Sequence, residues 1–434
     1  MLARASGWLF LLANLAGVAF TLNAFLPVRR RTLLVIPSFL LSMFAAELAV
    51  HHLFWQLLAT ACFAWLGALG TTPGLIGLGL AVVSWLGLAV LVIEGPGSGR
   101  TIREALAQLG PPSTPRRPQW WRVAVPFPLR RAGTRVTRNV EFARVGGTRL
   151  RLDVYRPLAA PGLRPALVQI HGGGWVVGDK REQGVPIMTR MSDRGWVGFN
   201  VNYRLSPGAT WPDHLVDIKR AIGWIREHAA EYGVDPGFIA VTGGSAGGHL
   251  AAMAALTAND PSLQPGFEHA DTRLQAAVPF YAIYDFTNRL HSHVPGFLER
   301  LLEPLVMKAF YADAPERFAA ASPLDRVHAD APPFFVIHGR RDTLAPLVDA
   351  QAFVAALRQV SRAQVLFAEV AGAQHAFDVF LSPRSLPVIE GVGDFLEHVW
   401  QDAVQARAAT REGEPAAPDD QTATSPGADA HAPP

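Results

Sequence analysis

Apolar residues are concentrated in the first 93 positions of this chain, and that concentration limits what the segment can fold into. Residues 7–26 carry no charged side chain and are numerous enough to cross a bilayer as a helix. Further apolar runs occupy residues 33–50, 53–70 and 74–93. Because a backbone in lipid must satisfy its own hydrogen bonds, these runs predict an all-α transmembrane region over residues 1–94, with three or four helices.

The number of crossings decides on which side of the membrane the rest of the chain lies. Arg29, Arg30 and Arg31 follow the first apolar run, so their loop should lie in the cytoplasm. Four crossings would place the chain after residue 93 outside, whereas three would place it inside, where Arg100 and Arg103 also fit the charge rule. A cleavable signal peptide is disfavoured, since the first run is too long and further apolar runs follow it.

Two small groups of polar residues raise the question of a metal site. Glu47, His51 and Trp55 are spaced to share one helical face, which fits either an intramembrane metal or proton site or an interfacial helix end, and we favour the second. His291 and His293 form a His-x-His typical of a surface pair, without the further ligands that a zinc ion needs. The sequence therefore predicts no metal and no cofactor.

Beyond the apolar region the pattern alternates between strands and helices. Short apolar runs suited to buried strands occupy residues 166–170, 197–201, 238–242, 276–281, 334–337 and 365–370. The alternation predicts an α/β fold with a doubly wound, mostly parallel sheet over residues 136–403. Gly- and Pro-rich residues 95–135 are predicted to form a linker, residues 287–332 a lid-like insertion, and residues 404–434 a disordered tail.

The most specific motif is Gly243-Gly244-Ser245-Ala246-Gly247, which lies between a predicted strand and a predicted helix. In that setting Gly-x-Ser-x-Gly is the nucleophile elbow, a sharp strained turn that projects the serine hydroxyl above the sheet. The glycines before and after the serine allow the strand and the helix to approach closely. The other interpretation, a glycine-rich turn with an incidental serine, is disfavoured by the strand and helix on either side.

A second glycine-rich loop, His171-Gly172-Gly173-Gly174-Trp175, follows the strand that ends at residue 170. Such a loop can turn backbone N–H groups toward a carbonyl oxygen that becomes negatively charged during hydrolysis. Gly173, Gly174 and Ala246 are the expected oxyanion donors. A phosphate-binding P-loop is excluded because no Gly-Lys-Ser/Thr follows.

A serine nucleophile needs a base, and the base needs an orienting acid. Asp342 and His375 follow two successive predicted strands, in the order Ser, acid, His that this fold uses. Asp285 lies one strand too early to be the acid, and Asp378 is too close to His375 to orient it. The predicted catalytic triad is therefore Ser245, Asp342 and His375.

Taken together, these motifs resemble the hormone-sensitive-lipase-like esterases of the α/β-hydrolase superfamily, over residues 140–400. The resemblance rests on 171–175, Asn202-Tyr203-Arg204-Leu205-Ser206-Pro207, 243–248, Asp342 and His375. It implies a serine carboxylesterase or lipase. Gly244 departs from the Asp that many members carry, a variant also present in feruloyl-esterase-like and kynurenine-formamidase-like branches. Membrane-anchored esterases of similar layout occur in actinobacteria, which favours an integral protein of a bacterial cell membrane.

The sequence thus predicts hydrolysis of short- to medium-chain acyl esters through an acyl-enzyme on Ser245, with a small-molecule or lipid ester as substrate. A deacetylase, a feruloyl-esterase-like enzyme or an aryl-formamidase would use the same triad, and a non-catalytic membrane-tethered binding module is the alternative of another class. No nucleic-acid partner is predicted, since no basic cluster is interleaved with aromatic residues. The single cysteine, Cys62, excludes a disulfide within the chain, and the oligomeric state stays open.

Overall fold

A computed structural model describes residues 2–29, 32–110, 118–127, 133–158 and 162–413. Its centre is one eight-stranded sheet with the strand order β1-β2-β4-β3-β5-β6-β7-β8. The strands are β1 (Thr134–Val145), β2 (Thr148–Pro157), β3 (Arg164–Ile170), β4 (Val197–Val201), β5 (Val234–Gly244), β6 (Ala276–Phe280), β7 (Phe334–Gly339) and β8 (Val365–Val370). From β4 to β8 all pairs are parallel, which confirms the predicted mostly parallel α/β sheet.

Twelve α-helices lie within the described part of the chain. They are α1 (Leu2–Phe25), α2 (Thr32–Glu47), α3 (Ala49–Trp65), α4 (Thr72–Glu94), α5 (Ser98–Leu106), α6 (Val185–Asp193), α7 (Asp213–Glu227), α8 (Ala229–Tyr232), α9 (Ala246–Leu256), α10 (Pro315–Ala320), α11 (Leu347–Val360) and α12 (Ser385–Gly413). The predicted insertion at 287–332 contains α10 and a π-helix, Leu298–Met307.

The sheet is buried on both faces because helices cover each of them. Along β3, Ala166 and Val168 contribute to one core and the intervening Leu167 contributes to the other. This alternation explains why the buried strands are apolar at most positions, with few buried polar residues such as Gln169 and Asn200. The antiparallel hairpin of β1 and β2 lies at the edge, and charged side chains such as Arg135 and Glu141 interrupt β1. The apolar runs of the sequence therefore do not predict β1.

Helices α1, α3 and α4 run between the α/β domain that contains the sheet (residues 136–403, the predicted catalytic domain) and a distal end of the molecule. At the distal end, the Ser6 hydroxyl oxygen lies 3.3 Å from the carbonyl oxygen of Leu66, just after α3. At the other end, the Arg341 guanidinium lies 5.3 Å from the Phe25 ring centroid and 3.1 Å from the Glu94 carboxylate. By length and composition α1 and α4 could each cross a membrane, and the pair α2–α3 could supply a third crossing.

Helix α2 does not continue straight into α3, because the chain bends by 84° between them. One face of α2, formed by Val35, Phe39 and Met43, is buried against the catalytic domain. At its end the buried Glu47 carboxylate pairs with the buried Arg384 guanidinium and accepts a 2.6 Å hydrogen bond from the Ser382 hydroxyl. Glu47 thus joins the apolar region to the catalytic domain.

Glu47, His51 and Trp55 do not form a common site. A His51 ring nitrogen lies 3.4 Å from the backbone oxygen of Ala124, and the Trp55 side chain is 61% exposed. Among the residues that the structure describes, no three metal-ligating side chains are grouped to hold an ion. For Glu47 the favoured interpretation, contact with water and headgroups, is wrong, since its carboxylate is buried against an arginine.

Removing the Glu47 carboxylate should destabilise the protein, because the buried Arg384 guanidinium then keeps only the partly exposed Glu94, at 3.6 Å, as a charge partner. We expect Glu47→Ala to cost about 3–5 kcal/mol, measured by thermal unfolding of the detergent-solubilised chain. Glu141→Ala, which removes an exposed partner of Arg144, is the matched control and should cost less. The double substitution Glu47→Leu with Arg384→Met should recover part of the loss. Equal destabilisation by the two single substitutions would contradict a dominant role for the buried pair.

The segments flanking the catalytic domain are more ordered than predicted. Within the predicted linker, Ile102 and Ala105 of α5 are buried in the core beneath α12. Helix α12 continues to Gly413, so the prediction of disorder fails for 404–413. Its Ala-rich sequence favours helix and Arg407 pairs with Asp235 at 2.8 Å. The remainder of the predicted tail lies outside the described residues, and the domain boundaries at 94 and 136 stay predictions.

Candidate active site

Ser245 occupies the turn between β5 and α9. Its backbone has φ 58° and ψ −124°, a strained conformation for a residue with a side chain. The turn is possible because a Cβ at Gly243 would lie 2.5 Å from the Gly247 oxygen, and a Cβ at Gly247 would lie 2.1 Å from the Ile170 oxygen. The Ser245 N–H donates to the Phe280 oxygen at 3.0 Å, which fixes the turn against β6. The geometry is that of a nucleophile elbow.

Asp342 and His375 lie in the loops that follow β7 and β8. The Nδ1 of His375 is 2.8 Å from Oδ2 of Asp342, whose Oδ1 accepts hydrogen bonds from the backbone N–H groups of Leu344 and Ala345, both at 2.8 Å. Burial alone would raise the pKa of the Asp342 carboxyl, but His375 and these hydrogen bonds outweigh it and lower the pKa. Asp342 is therefore a buried carboxylate with both oxygens occupied, one of them by the imidazole.

Ser245 and His375 open onto the same cavity, of about 500 Å³. Gly173 and Gly174 line it as well, while Ala246 is buried at the start of α9. Apart from these residues the wall is mainly apolar, and it includes Phe297 and Leu301 of the predicted insertion together with Val35, Ile36 and Phe39 of α2. The structure thus brings the predicted site residues together around one pocket.

The glycine-rich loop at 171–175 is stabilised by the contacts of His171. A ring nitrogen of His171 lies 2.8 Å from the Gly172 oxygen, and the ring stacks on Tyr203 at a centroid distance of 4.5 Å. Burial lowers the pKa of His171, so the ring is neutral near pH 7. The Gly172 N–H donates to the Gln183 side chain at 2.8 Å. His171 and Gly172 therefore shape the loop rather than face the substrate.

Gln374 is a buried connecting residue that the sequence motifs do not reveal. Its side-chain oxygen accepts hydrogen bonds from the backbone N–H groups of Thr343 and His375, both at 2.9 Å. Its amide nitrogen donates to the Ser42 hydroxyl of α2 at 3.3 Å. One buried amide thus connects the loop of Asp342, the loop of His375 and the apolar region.

The position of Tyr281 explains why residue 244 is glycine and not the aspartate that many hormone-sensitive-lipase-like esterases carry. A Cβ at Gly244 would lie 2.6 Å from the Tyr281 hydroxyl, so an aspartate side chain has no room there. The Tyr281 ring lies 4.7 Å from the His375 ring, and its hydroxyl donates to the Asp378 carboxyl. Burial raises the pKa of Asp378 to about 6 although the Tyr281 hydrogen bond lowers it. Asp378 therefore accepts a hydrogen bond from Tyr281, while Asp342 is the carboxylate that contacts His375 Nδ1.

The remaining polar candidates lie outside this arrangement. Asp285 accepts hydrogen bonds from the backbone N–H groups of Thr287 and Arg289. His293 is buried, and its Nε2 lies 2.8 Å from the backbone oxygen of Asp285 and 3.2 Å from the Asp349 carboxylate. It is therefore not the surface residue that the His-x-His pattern predicts.

Comparison with known proteins places the chain in a family. Residues 152–357 match the family model described as BD-FAE. Esterase LipQ of Mycobacterium tuberculosis is 49% identical over 65% of this chain and 67% of LipQ. The probable carboxylic ester hydrolase LipM of the same organism is 40% identical over 88% of this chain and 91% of LipM. The chain belongs to the α/β-hydrolase esterases.

This esterase also resembles solved enzymes of the family. Est2 of Thermogutta terrifontis, solved with butyrate bound, is 29% identical with a TM-score of 0.51, over 63% of this esterase and 95% of Est2. The predicted family resemblance and the predicted class of enzyme, a carboxylic ester hydrolase, are confirmed. The alternative of a non-catalytic binding module is set aside by these relatives.

Proposed function

We propose that this esterase cleaves acyl esters through an acyl-enzyme on Ser245. His375 accepts the hydroxyl proton while the Ser245 oxygen attacks the ester carbonyl, and the protonated imidazole then gives that proton to the departing alcohol. Water, deprotonated by His375, releases the carboxylic acid and restores the serine. The observation that carries the proposal is the 2.8 Å contact between His375 and the buried Asp342, beside a serine that opens onto the same cavity.

The developing oxyanion would be held by the N–H groups of Gly173, Gly174 and Ala246. Within the described part of the chain these three N–H groups donate no hydrogen bond, whereas the neighbouring Gly172 N–H is occupied by Gln183. Ala246 begins α9, where backbone N–H groups have no partner within the helix and the helix dipole favours negative charge. Free donors on two sides of the cavity fit a tetrahedral intermediate.

The cavity supports short- to medium-chain acyl groups as substrates. Its volume of about 500 Å³ lies within the usual range for small-molecule sites, and its wall is largely apolar. The butyrate bound by Est2 is a short acyl group of this kind. A panel of p-nitrophenyl esters, acetylated glycans, feruloyl esters and aryl formamides would separate the proposed carboxylesterase from a deacetylase, a feruloyl esterase or a formamidase.

Covalent labelling tests the acyl-enzyme directly. A fluorophosphonate probe added to the full chain in detergent should modify Ser245, located by mass spectrometry of the labelled peptide. Rapid mixing with p-nitrophenyl butyrate should give a burst of nitrophenol of about one equivalent per active site if deacylation is slow. Labelling of a different residue, or of none, would contradict the proposal.

We also propose that the esterase is an integral membrane protein with three crossings, by α1, α3 and α4, and that its catalytic domain is cytoplasmic. The contact of Ser6 with Leu66 pairs the start of α1 with the end of α3, and Arg341 meets both the end of α1 and the end of α4. These contacts support an odd number of crossings. The arginines at 29–31, 100 and 103 then share one side, with only Arg4 opposite, as the positive-inside rule favours.

Reporter fusions in a bacterial host test this topology. Green fluorescent protein at the C-terminus should fluoresce, whereas alkaline phosphatase at the same position should be inactive. Phosphatase placed in the connection between α3 and α4, at residue 70, should be active and is the internal control. An active C-terminal phosphatase would place the catalytic domain outside and contradict the three-crossing arrangement.

A further inference from the structure

Helix α2 belongs to the apolar region and lines the catalytic cavity at the same time. Val35, Ile36 and Phe39 form part of the wall, and the Phe39 ring lies edge-on to the His375 ring at 5.7 Å. We propose that α2 is the membrane-facing wall of the acyl pocket and that the substrate is a membrane-resident amphiphilic ester reaching Ser245 directly from the bilayer. The inference rests on the proposed role of Ser245.

The two faces of α2 differ in what they contact but not in polarity. The inner face packs against the catalytic domain, while the outer face exposes leucines, with Leu33 85% exposed and Leu40 and Leu41 also exposed. The described part of α2 has no charged side chain before Glu47. The surface helix of a soluble protein presents polar residues outward, so an apolar outer face fits contact with lipid.

The bend at the end of α2 sets its direction. Because α3 is a proposed crossing and α2 turns from it by 84°, α2 lies close to the membrane plane. The segment around Ala124 lies next to the junction of α2 and α3, because the Ala124 oxygen is 3.4 Å from His51 at the start of α3. The exposed side chains of this segment include Trp120, Trp121 and Phe127. Exposed aromatic residues of this kind mark the boundary between lipid and water. The pocket therefore lies at the membrane interface.

The rim of the pocket is apolar where it reaches the surface. Ile36 of α2 and Val177 beside the oxyanion loop both line the cavity, and their side chains are 53% and 62% exposed. An acyl chain passing between them moves from lipid into an apolar pocket without crossing water, which avoids the cost of hydrating its methylene groups. A water-soluble ester gains nothing from such a rim. The geometry thus favours an amphiphile held in the leaflet next to α2.

A charge placed on the rim should separate lipid-held from water-dissolved substrates. The full chain in phosphatidylcholine vesicles would be assayed with p-nitrophenyl decanoate dissolved in the bilayer and with p-nitrophenyl butyrate dissolved in water. Ile36→Asp should lower the ratio of kcat/KM for decanoate to that for butyrate by at least about tenfold, because the acyl chain must pass the new carboxylate. Val360→Asp changes an exposed valine at the end of α11 and should leave that ratio unchanged.

The outcomes distinguish this inference from the function on which it rests. An unchanged ratio in Ile36→Asp, with butyrate still hydrolysed, would overturn the membrane access while Ser245 keeps its role. Wild-type protein that hydrolyses neither ester and takes no fluorophosphonate label would overturn the proposed function and the access route with it.

A second measurement does not depend on activity. A single cysteine at Leu40, in a Cys62→Ala background, would carry an environment-sensitive fluorophore in vesicles containing brominated lipid. The label should be quenched by the bromine atoms, whereas a label on Val360→Cys should not be. An unquenched label at Leu40 would overturn the lipid contact of α2 whatever the kinetics show.

Discussion

Ser245→Ala is expected to lower kcat for p-nitrophenyl butyrate by at least about 10⁴-fold while leaving KM within a few-fold. The substitution removes the attacking oxygen, so no acyl-enzyme can form. The oxyanion donors and the pocket remain, and they sustain only slow attack by water. Unfolding should not account for the loss, because the strained backbone at Ser245 is fixed by its N–H bond to Phe280 and not by the hydroxyl.

The control for that measurement is Ser262→Ala, at an exposed serine whose hydroxyl donates to the Asp260 carboxylate. It should retain wild-type kcat, and both variants should unfold at the wild-type temperature. Activity of Ser245→Ala within tenfold of the wild type would rule out this serine as the nucleophile.

Asp342→Asn is expected to lower kcat by about 10⁴-fold with the structure intact, as when a triad aspartate is replaced by its amide. The backbone N–H groups of Leu344 and Ala345 point at one carboxylate oxygen and would keep the amide oxygen there. The amide nitrogen then faces His375 Nδ1, which must become the acceptor. The proton moves to Nε2, and the imidazole can no longer receive the serine proton.

Asp330→Asn, at an exposed aspartate paired with Arg362, is the matched control and should be fully active. Stability should add a second readout with a defined sign. Because the pKa of Asp342 is lowered in the folded state, its stabilisation is present above the ordinary value of 3.8 and is lost as the pH falls through the folded pKa. The stability gap between wild type and Asp342→Asn should therefore narrow in acid, and a gap that widens would contradict the assignment.

The sequence predicts those parts of the site that depend on residues close together in the chain. The turn at Ser245 depends on glycines within two residues of it, and Asp342 and His375 each follow an apolar strand directly. Gln374 could not be recognised in the same way, because its role is to connect Ser42 with loops some 300 residues later. The periodicity of apolar residues does not predict a contact between two such distant positions.

The same limit explains the wrong interpretation of Glu47. Helical spacing places Glu47 and His51 on one face only if the helix is continuous, and the chain instead bends at Leu48 between α2 and α3. A run of apolar residues without proline or glycine at that point gives no sign of a break. The partner, Arg384, is supplied by a distant segment whose packing decides the conformation.

The shared wall of α2 has a consequence for engineering, because the catalytic domain and the apolar region cannot be exchanged as separate modules. A secreted version starting at β1 would lack the wall that α2 contributes, so its catalytic pocket would be open to solvent along one side. Its Arg384 guanidinium would have lost Glu47, and its Gln374 amide would have lost Ser42. Grafting the catalytic domain onto a foreign anchor would have the same defects. A usable water-soluble form therefore needs a substitute helix with the inner face of α2 and a polar outer face.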